Sequence, residues 1–112
     1  MTDLAKKKCK PCEGGIDPLT RDQAQTLMKQ LHADWRLSDD GKSIHREWKF
    51  RNFFHTMSFV NAVAHIANAE DHHPDLEVGY GVCRMKFTTH AINGLSENDF
   101  ICAAKADALP KT

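Results

Sequence analysis

The sequence predicts an α+β domain in the order α-β-β-α-β-β-α, with one four-stranded antiparallel sheet whose apolar face is covered by helices. Three observations predict it: apolar residues at helical spacing in three places, two pairs of short alternating segments between them, and turn residues inside each pair. The 112 residues, 41% hydrophobic and 27% charged, suit a single core. A turn-rich lead, residues 1–17, precedes a domain spanning 18–112. The two β-β-α portions share a layout but no detectable sequence repeat.

After Gly14-Gly15 and Pro18, Thr20 is placed to cap a helix near 20–32, in which Ala24, Leu27, Met28 and Leu31 recur at helical spacing. Trp35 and Leu37 begin a short strand, Asp39-Asp40-Gly41-Lys42 supplies the turn, and Ile44, Arg46, Trp48 and Phe50 alternate with His45, Glu47 and Lys49. This is a β-hairpin with one apolar face. From Asn52 to about Ala69 the period becomes helical, with Phe53, Met57, Val60, Ala64 and Ala67 in a stripe broadened by Phe54, Val63 and Ile66. His55 and His65 fall in this helix without a ligand-type neighbour and are read as surface or structural residues. Pro74 stops helical continuation. Leu76, Val78 and Tyr80 alternate, Gly79 and Gly81 permit a turn, and the parity then shifts to Cys83, Met85 and Phe87, as in a second hairpin or a bulge beside it. Beyond Asn93-Gly94, Ser96 with Asp99 three residues on marks the N-cap of a last helix carrying Phe100, Ile101, Ala103, Ala104 and Leu109.

Fifteen Lys+Arg balance fifteen Asp+Glu, which argues against a nucleic-acid footprint that neutralises many phosphates. The basic run Lys6-Lys7-Lys8, with Lys10, reads as a solvated terminus. No stretch reaches the ~20 apolar residues of a membrane span and the N-terminus has no apolar signal region, so a cytoplasmic protein is expected. A core this small favours association into an oligomer. Cys9 and Cys12 form a C-x-x-C pair, yet a structural zinc site needs two more ligands, and Cys83 and Cys102 do not form a second pair. An inert turn is the expected reading of Cys9 and Cys12. Cys83 and Cys102 are expected to be small buried hydrophobes.

The run Glu70-Asp71-His72-His73-Pro74-Asp75 places adjacent histidines where a helix must give way to irregular backbone. In an ideal strand neighbours point to opposite faces, but Pro74 biases His73 away from the helical region, and a bend before it lets both imidazoles address one cavity. His90 follows at the far end of the second hairpin's return strand, with parity opposite to Phe87 and Thr89. A hairpin of that length returns its ends to one another, so His72, His73 and His90 can gather at one end of the sheet. Such a trio suits metal binding, acid–base chemistry near neutral pH, or a purely structural role.

The run His72-His73-Pro74, then Tyr80, Thr89-His90, Gly94-Leu95-Ser96 and Asp99 resembles the signature of the pterin-4a-carbinolamine dehydratase family. Trp35, the hairpin from Gly41 to Phe50, Phe53 and Phe59-Val60-Asn61 extend the resemblance over roughly residues 18 to 108. It implies a homodimer or homotetramer with a metal-free site and no cofactor, the pterin being the substrate. His72, His73 and His90 would bind it and move protons, and Trp35, Glu70, Asp71, Pro74, Thr89 and Asp99 would contribute to binding. The implied reaction removes water from the 4a-carbinolamine left by an aromatic amino-acid hydroxylase, giving a quinonoid dihydropterin. One departure is Asn68, four positions before His72, where the family commonly has an acidic residue; Glu70 and Asp71 lie nearer. The resemblance also keeps open a dimerisation or regulatory protein on the same fold, and a role elsewhere in pterin or molybdopterin metabolism. A metal protein built on the same histidines is the remaining alternative.

Overall fold

Alternation of side chains along two central strands decides which way the sheet faces. The computed structural model describes residues 4–11 and 14–110; Cys12, and with it half of the expected N-terminal turn, lies outside the described residues. The elements in chain order are α1 (Arg21–Met28), β1 (Arg36–Leu37), β2 (Ile44–Lys49), α2 (Phe53–Glu70), β3 (Asp75–Val78), β4 (Val82–Phe87) and α3 (Glu97–Asp107). The strands make one antiparallel sheet in the order β1-β2-β4-β3. The α+β class and the element order are those the sequence predicts.

Between β2 and β4, Ile44 lies opposite Phe87, Arg46 opposite Met85 and Trp48 opposite Cys83. All but Arg46 are buried, while His45, Glu47, Arg84 and Lys86 occupy the exposed face. The buried face carries a run of aromatic contacts: Trp35 meets Trp48 edge-on with centroids 5.7 Å apart, and Trp48 meets Phe59 of α2 at 4.9 Å. Leu95, Phe100, Ile101 and Ala103, before and within α3, complete this core. Gly81 is required in the β3–β4 turn, because a Cβ there would come within 2.7 Å of the Phe50 carbonyl oxygen. The close approach is used, since the Phe50 N–H donates to the Gly81 carbonyl at 2.8 Å.

Three element ends differ from expectation, each for a local reason. α1 stops at Met28 rather than near 32, because Lys29, Gln30 and Leu31 donate to carbonyls three residues back, at 3.0–3.3 Å, and tighten the chain out of α-helical pairing. β3 ends at Val78, since the Gly79 N–H donates to the Val82 carbonyl at 2.9 Å and leaves Tyr80 in the turn. β4 ends at Phe87, and His90 begins a short 3₁₀ turn, His90–Ile92, instead of closing a strand. The lead also departs from a solvated terminus: Leu4 is 2% exposed and packs in the core, although Lys6 to Lys8 remain exposed.

Arg46 is the one charged residue on the apolar side of β2. Its Nη1 donates to Asp107 Oδ1 at 2.6 Å, and its guanidinium carbon sits 4.3 Å from the centre of a Trp48 ring. Asp107 closes α3, where a negative charge opposes the helix dipole. The conflict is offset by three donors, since Asp107 also accepts from Trp35 Nε1 at 2.8 Å and from the His32 N–H at 3.0 Å. Removing Asp107 leaves a nearly buried guanidinium and an indole N–H without an acceptor. Asp107→Ala is expected to lower the unfolding free energy by about 3 kcal/mol in urea titrations, and pairing it with Arg46→Met to recover part of that loss.

Candidate active site

The end of α2 aims the adjacent histidines. Asp71 takes the left-handed conformation at φ 53°, and the His72 N–H reaches back to the Ala67 carbonyl at 3.2 Å, a helix stop that turns the chain sharply. Asp75 then begins β3, with Pro74 holding His73 in extended backbone just before it. As a result His72 is buried and His73 is exposed. The third histidine comes from the loop after β4. Thr89 pairs with Gly94 across a two-way backbone bridge, the His90–Ile92 turn bulges between them, and Asn93 takes a left-handed conformation at φ 52° to close it. His90 stands exposed on that bulge.

His72, His73, His90, Asp71 and Thr89 line one cleft of about 150 Å³, together with Thr88 and Ala91. His72 forms its back wall. Its Nε2 lies 2.6 Å from Asp99 Oδ1, and its ring stacks on Phe87 at 6.0 Å with planes 8° apart. Asp99 has no solvent exposure. Its second oxygen, Oδ2, accepts from the Thr89 hydroxyl at 2.8 Å and from the Ser96 N–H at 3.0 Å. One side chain therefore caps α3, holds the β4–α3 loop through Thr89, and orients His72. With Asp99 accepting, Nε2 carries the ring proton of the neutral tautomer and Nδ1 carries the lone pair.

The remaining residues singled out in the sequence occupy other places. Trp35 lies in the core and is separated from His72 by Phe87, which it meets at 6.2 Å. Pro74 is half-buried and acts on the backbone. Glu70 turns toward the lead, accepting from the Cys9 N–H at 2.8 Å and facing Lys105 Nζ at 3.9 Å. Asn68 is exposed on α2. The carboxylate partner of His72 comes from α3, in Asp99. His55 and His65 lie outside the cleft, His55 within 3.0 Å of Arg51.

Larger hollows lie elsewhere. One of about 310 Å³ on the open sheet face is lined by side chains that pair with each other, Arg84 meeting Glu47 at 2.7 Å and Glu77 at 3.7 Å. Another of about 630 Å³ runs between the loop after α1 and the end of α3. Neither brings histidines together, and among the described residues no group of three or more His, Cys, Asp or Glu is arranged to hold a metal ion.

Residues 17–109 match the sequence model of the pterin 4 alpha carbinolamine dehydratase family. The chain belongs to this family. A relative from Nitrosomonas eutropha, provisionally named a pterin-4-alpha-carbinolamine dehydratase, is 59% identical over 97% of this chain and 95% of its own. One from Legionella pneumophila strain Corby, with the same provisional name, is 54% identical over 96% of each chain. Among solved structures, a transcriptional coactivator/pterin dehydratase from Brucella melitensis superposes with a TM-score of 0.77 at 29% identity, covering 82% of this chain and 97% of that one. A pterin dehydratase-like protein described as a RuBisCO assembly factor in the alpha-carboxysome shares the fold, with a TM-score of 0.59 at 20% identity over 69% of this chain and 89% of its own.

Within this pterin dehydratase family member, two supporting residues have a part behind the cleft that the sequence reading did not give them. Phe87 reads as core, and only the fold lays the His72 ring on it. Ser96 reads as an N-cap, yet its hydroxyl also lies 2.7 Å from that of Thr89, joining the network behind the cleft. Asp99→Asn tests that network. The amide keeps the shape, but with its oxygen serving Thr89 and Ser96 it presents N–H groups to His72. The expected outcome is a folded protein in which ¹⁵N spectra show the neutral His72 ring switched to the Nδ1–H tautomer.

Proposed function

We propose that this protein dehydrates a 4a-hydroxytetrahydropterin to the quinonoid dihydropterin by histidine acid–base catalysis, without a resident metal or cofactor, in the cytoplasm. In this reading it returns the pterin to use by an aromatic amino-acid hydroxylase. The observation that carries it is the meeting of His72, His73 and His90 on one cleft. Loss of water from C4a needs a proton delivered to the departing hydroxyl and a proton removed from ring nitrogen N5. Imidazole is suited to both at neutral pH.

The two exposed histidines can exchange protons with bulk water between turnovers, whereas the one fixed by Asp99 cannot reorient. His73 is assigned as the acid at the hydroxyl, His90 as the base or its partner, and His72 as the group that orients the pterin ring. Asp99 positions His72 and does not touch the substrate. Asp71 and Thr89 at the cleft edge contribute to pterin binding. Transfer of both protons by side chains already aligned lowers the barrier by the amounts usual for general acid–base catalysis, about 10²–10⁴-fold in rate.

The test follows the decay of the 4a-carbinolamine absorbance, generated in place by a phenylalanine hydroxylase, with a chelator present. Decay faster than the spontaneous rate supports the reading, and His73→Ala and His90→Ala should each slow the catalysed part by about 10²-fold with circular dichroism unchanged. Decay at the spontaneous rate with wild-type protein would remove the assignment, and stoichiometric zinc or iron in the purified protein would remove its metal-free form.

The chain is further proposed to assemble with copies of itself as a dimer or a pair of dimers. Phe53 and Phe54 at the start of α2 are 50% and 74% exposed and Tyr80 is 70% exposed, and the Thr56 hydroxyl donates to the Tyr80 carbonyl, so the β3–β4 turn meets the first turns of α2. Sedimentation is expected to give a dimer or tetramer, and Phe54→Glu a lighter species. A wild-type monomer at micromolar concentration would exclude this assembly.

A further inference from the structure

The lead residues Cys9 and Lys10 are held by the helices behind the histidine cleft. Besides the Cys9 N–H bond to Glu70, the Lys10 N–H donates to Asn98 Oδ1 at 3.0 Å and Asn98 Nδ2 donates to the Lys10 carbonyl at 2.7 Å. This reciprocal pair places the Cys9 thiol against α3, with Cys9 Sγ 3.5 Å from Cys102 Sγ. Two sulfurs that close need only a small shift to reach the ~2.05 Å of a bond. Cys102 in turn donates to the His72 carbonyl at 3.7 Å. The contact is remote in sequence, 93 positions apart, so only the folded chain brings the thiols together.

We propose that Cys9 and Cys102 form a reversible disulfide when the protein meets a peroxide, locking the lead onto α3 behind His72. Cys9 is half-buried and meets the oxidant first, while Cys102 is buried. The bond with Cys9 and the burial hold the Cys102 thiol protonated, well above the usual thiol range. The Cys9 thiolate attacks one peroxide oxygen: an S–O bond forms, the O–O bond breaks, and the departing hydroxide takes a proton to become water. The Cys102 sulfur then attacks the sulfenic sulfur. The S–S bond forms, the S–O bond breaks, and the hydroxyl leaves with the Cys102 proton as a second water. Two thiols supply the two electrons that reduce one peroxide. In a reducing compartment such a bond is transient and returns to thiols through a dithiol reductant.

The disulfide reaches the cleft by two routes. Cys102 loses the proton it offers to the His72 carbonyl, and the lead is fixed against Glu70 and Asp71, which line a pocket of about 220 Å³ with Cys9 and Lys10. Asp71 also lines the histidine cleft. Cys9 has a competing partner in Cys12 of the same C-x-x-C sequence, and that alternative defines the test.

Full-length protein is treated with a small excess of hydrogen peroxide, denatured, its remaining thiols blocked with a maleimide, and digested without reductant. The expected result for wild type is loss of two of its four thiols, a crosslinked peptide joining Cys9 to the segment containing Cys102, and recovery of all thiols with dithiothreitol. The crosslink should persist in Cys12→Ser and vanish in Cys9→Ser. Cys83, buried on the sheet with its thiol pushed up to about 11 by burial, should remain free. A Cys9–Cys12 crosslink in wild type, or four free thiols after treatment, would overturn the proposal.

Discussion

A carboxylate without solvent exposure ties together every segment that builds the histidine cleft. Asp99 belongs to the first turn of α3, Thr89 to the loop after β4, and His72 to the corner between α2 and β3. An unpaired carboxylate at that depth would be costly, and its three donors come from three places in the chain. The positions of those segments are thereby coupled: a shift of α3 moves the His72 ring, and a shift of the His90 loop moves Thr89. The polar network is compact because each oxygen of Asp99 is used, and Phe87 of the core stacks on the His72 ring beside it.

The sheet supplies the rigid frame on which that coupling rests. β2 and β4 are its central pair, and the cleft loops leave from its ends, where backbone is free to depart from regular pairing. At the other end of α3, Asp107 joins Arg46 of β2 and Trp35 through charge-assisted bonds. α3 is therefore anchored at each terminus by one acidic residue, Asp99 at its first turn and Asp107 at its last. The first placement agrees with the helix dipole and the second opposes it, and the second persists because the fold puts a guanidinium and an indole N–H there.

The lead adds a third attachment to the same helix. Leu4 enters the core, Lys105 donates to the Ala5 carbonyl at 2.8 Å, and Asn98 binds Lys10 on both sides of its amide. The lead residues lie before the region matched by the family model, 17–109, yet they contact α3 within it. Cys9 and Lys10 of the lead thus become part of the wall behind the candidate site.

The sequence by itself determined the class, the order of elements and the face that β2 and β4 bury, because those follow from periods of 2 and 3.6 and from caps and turns read within a few residues; Val78 and Tyr80, alternating with Leu76, are nevertheless exposed. Thr20, Asn52 and Ser96 mark the helix starts, and Ile44 and Trp48 mark the buried side of β2, with no knowledge of distant contacts. It also picked out His72, His73 and His90, since two adjacent histidines before a proline and a third beyond a hairpin suggest convergence. Tertiary structure alone decided where each of these residues lies and what it touches. The burial of His72, the carboxylate that meets it from 27 positions away, the removal of Trp35 and Glu70 to other partners, and the docking of Cys9 on Cys102 all depend on long-range packing. Local pattern carries no distance between residues that chain topology, rather than spacing, brings together.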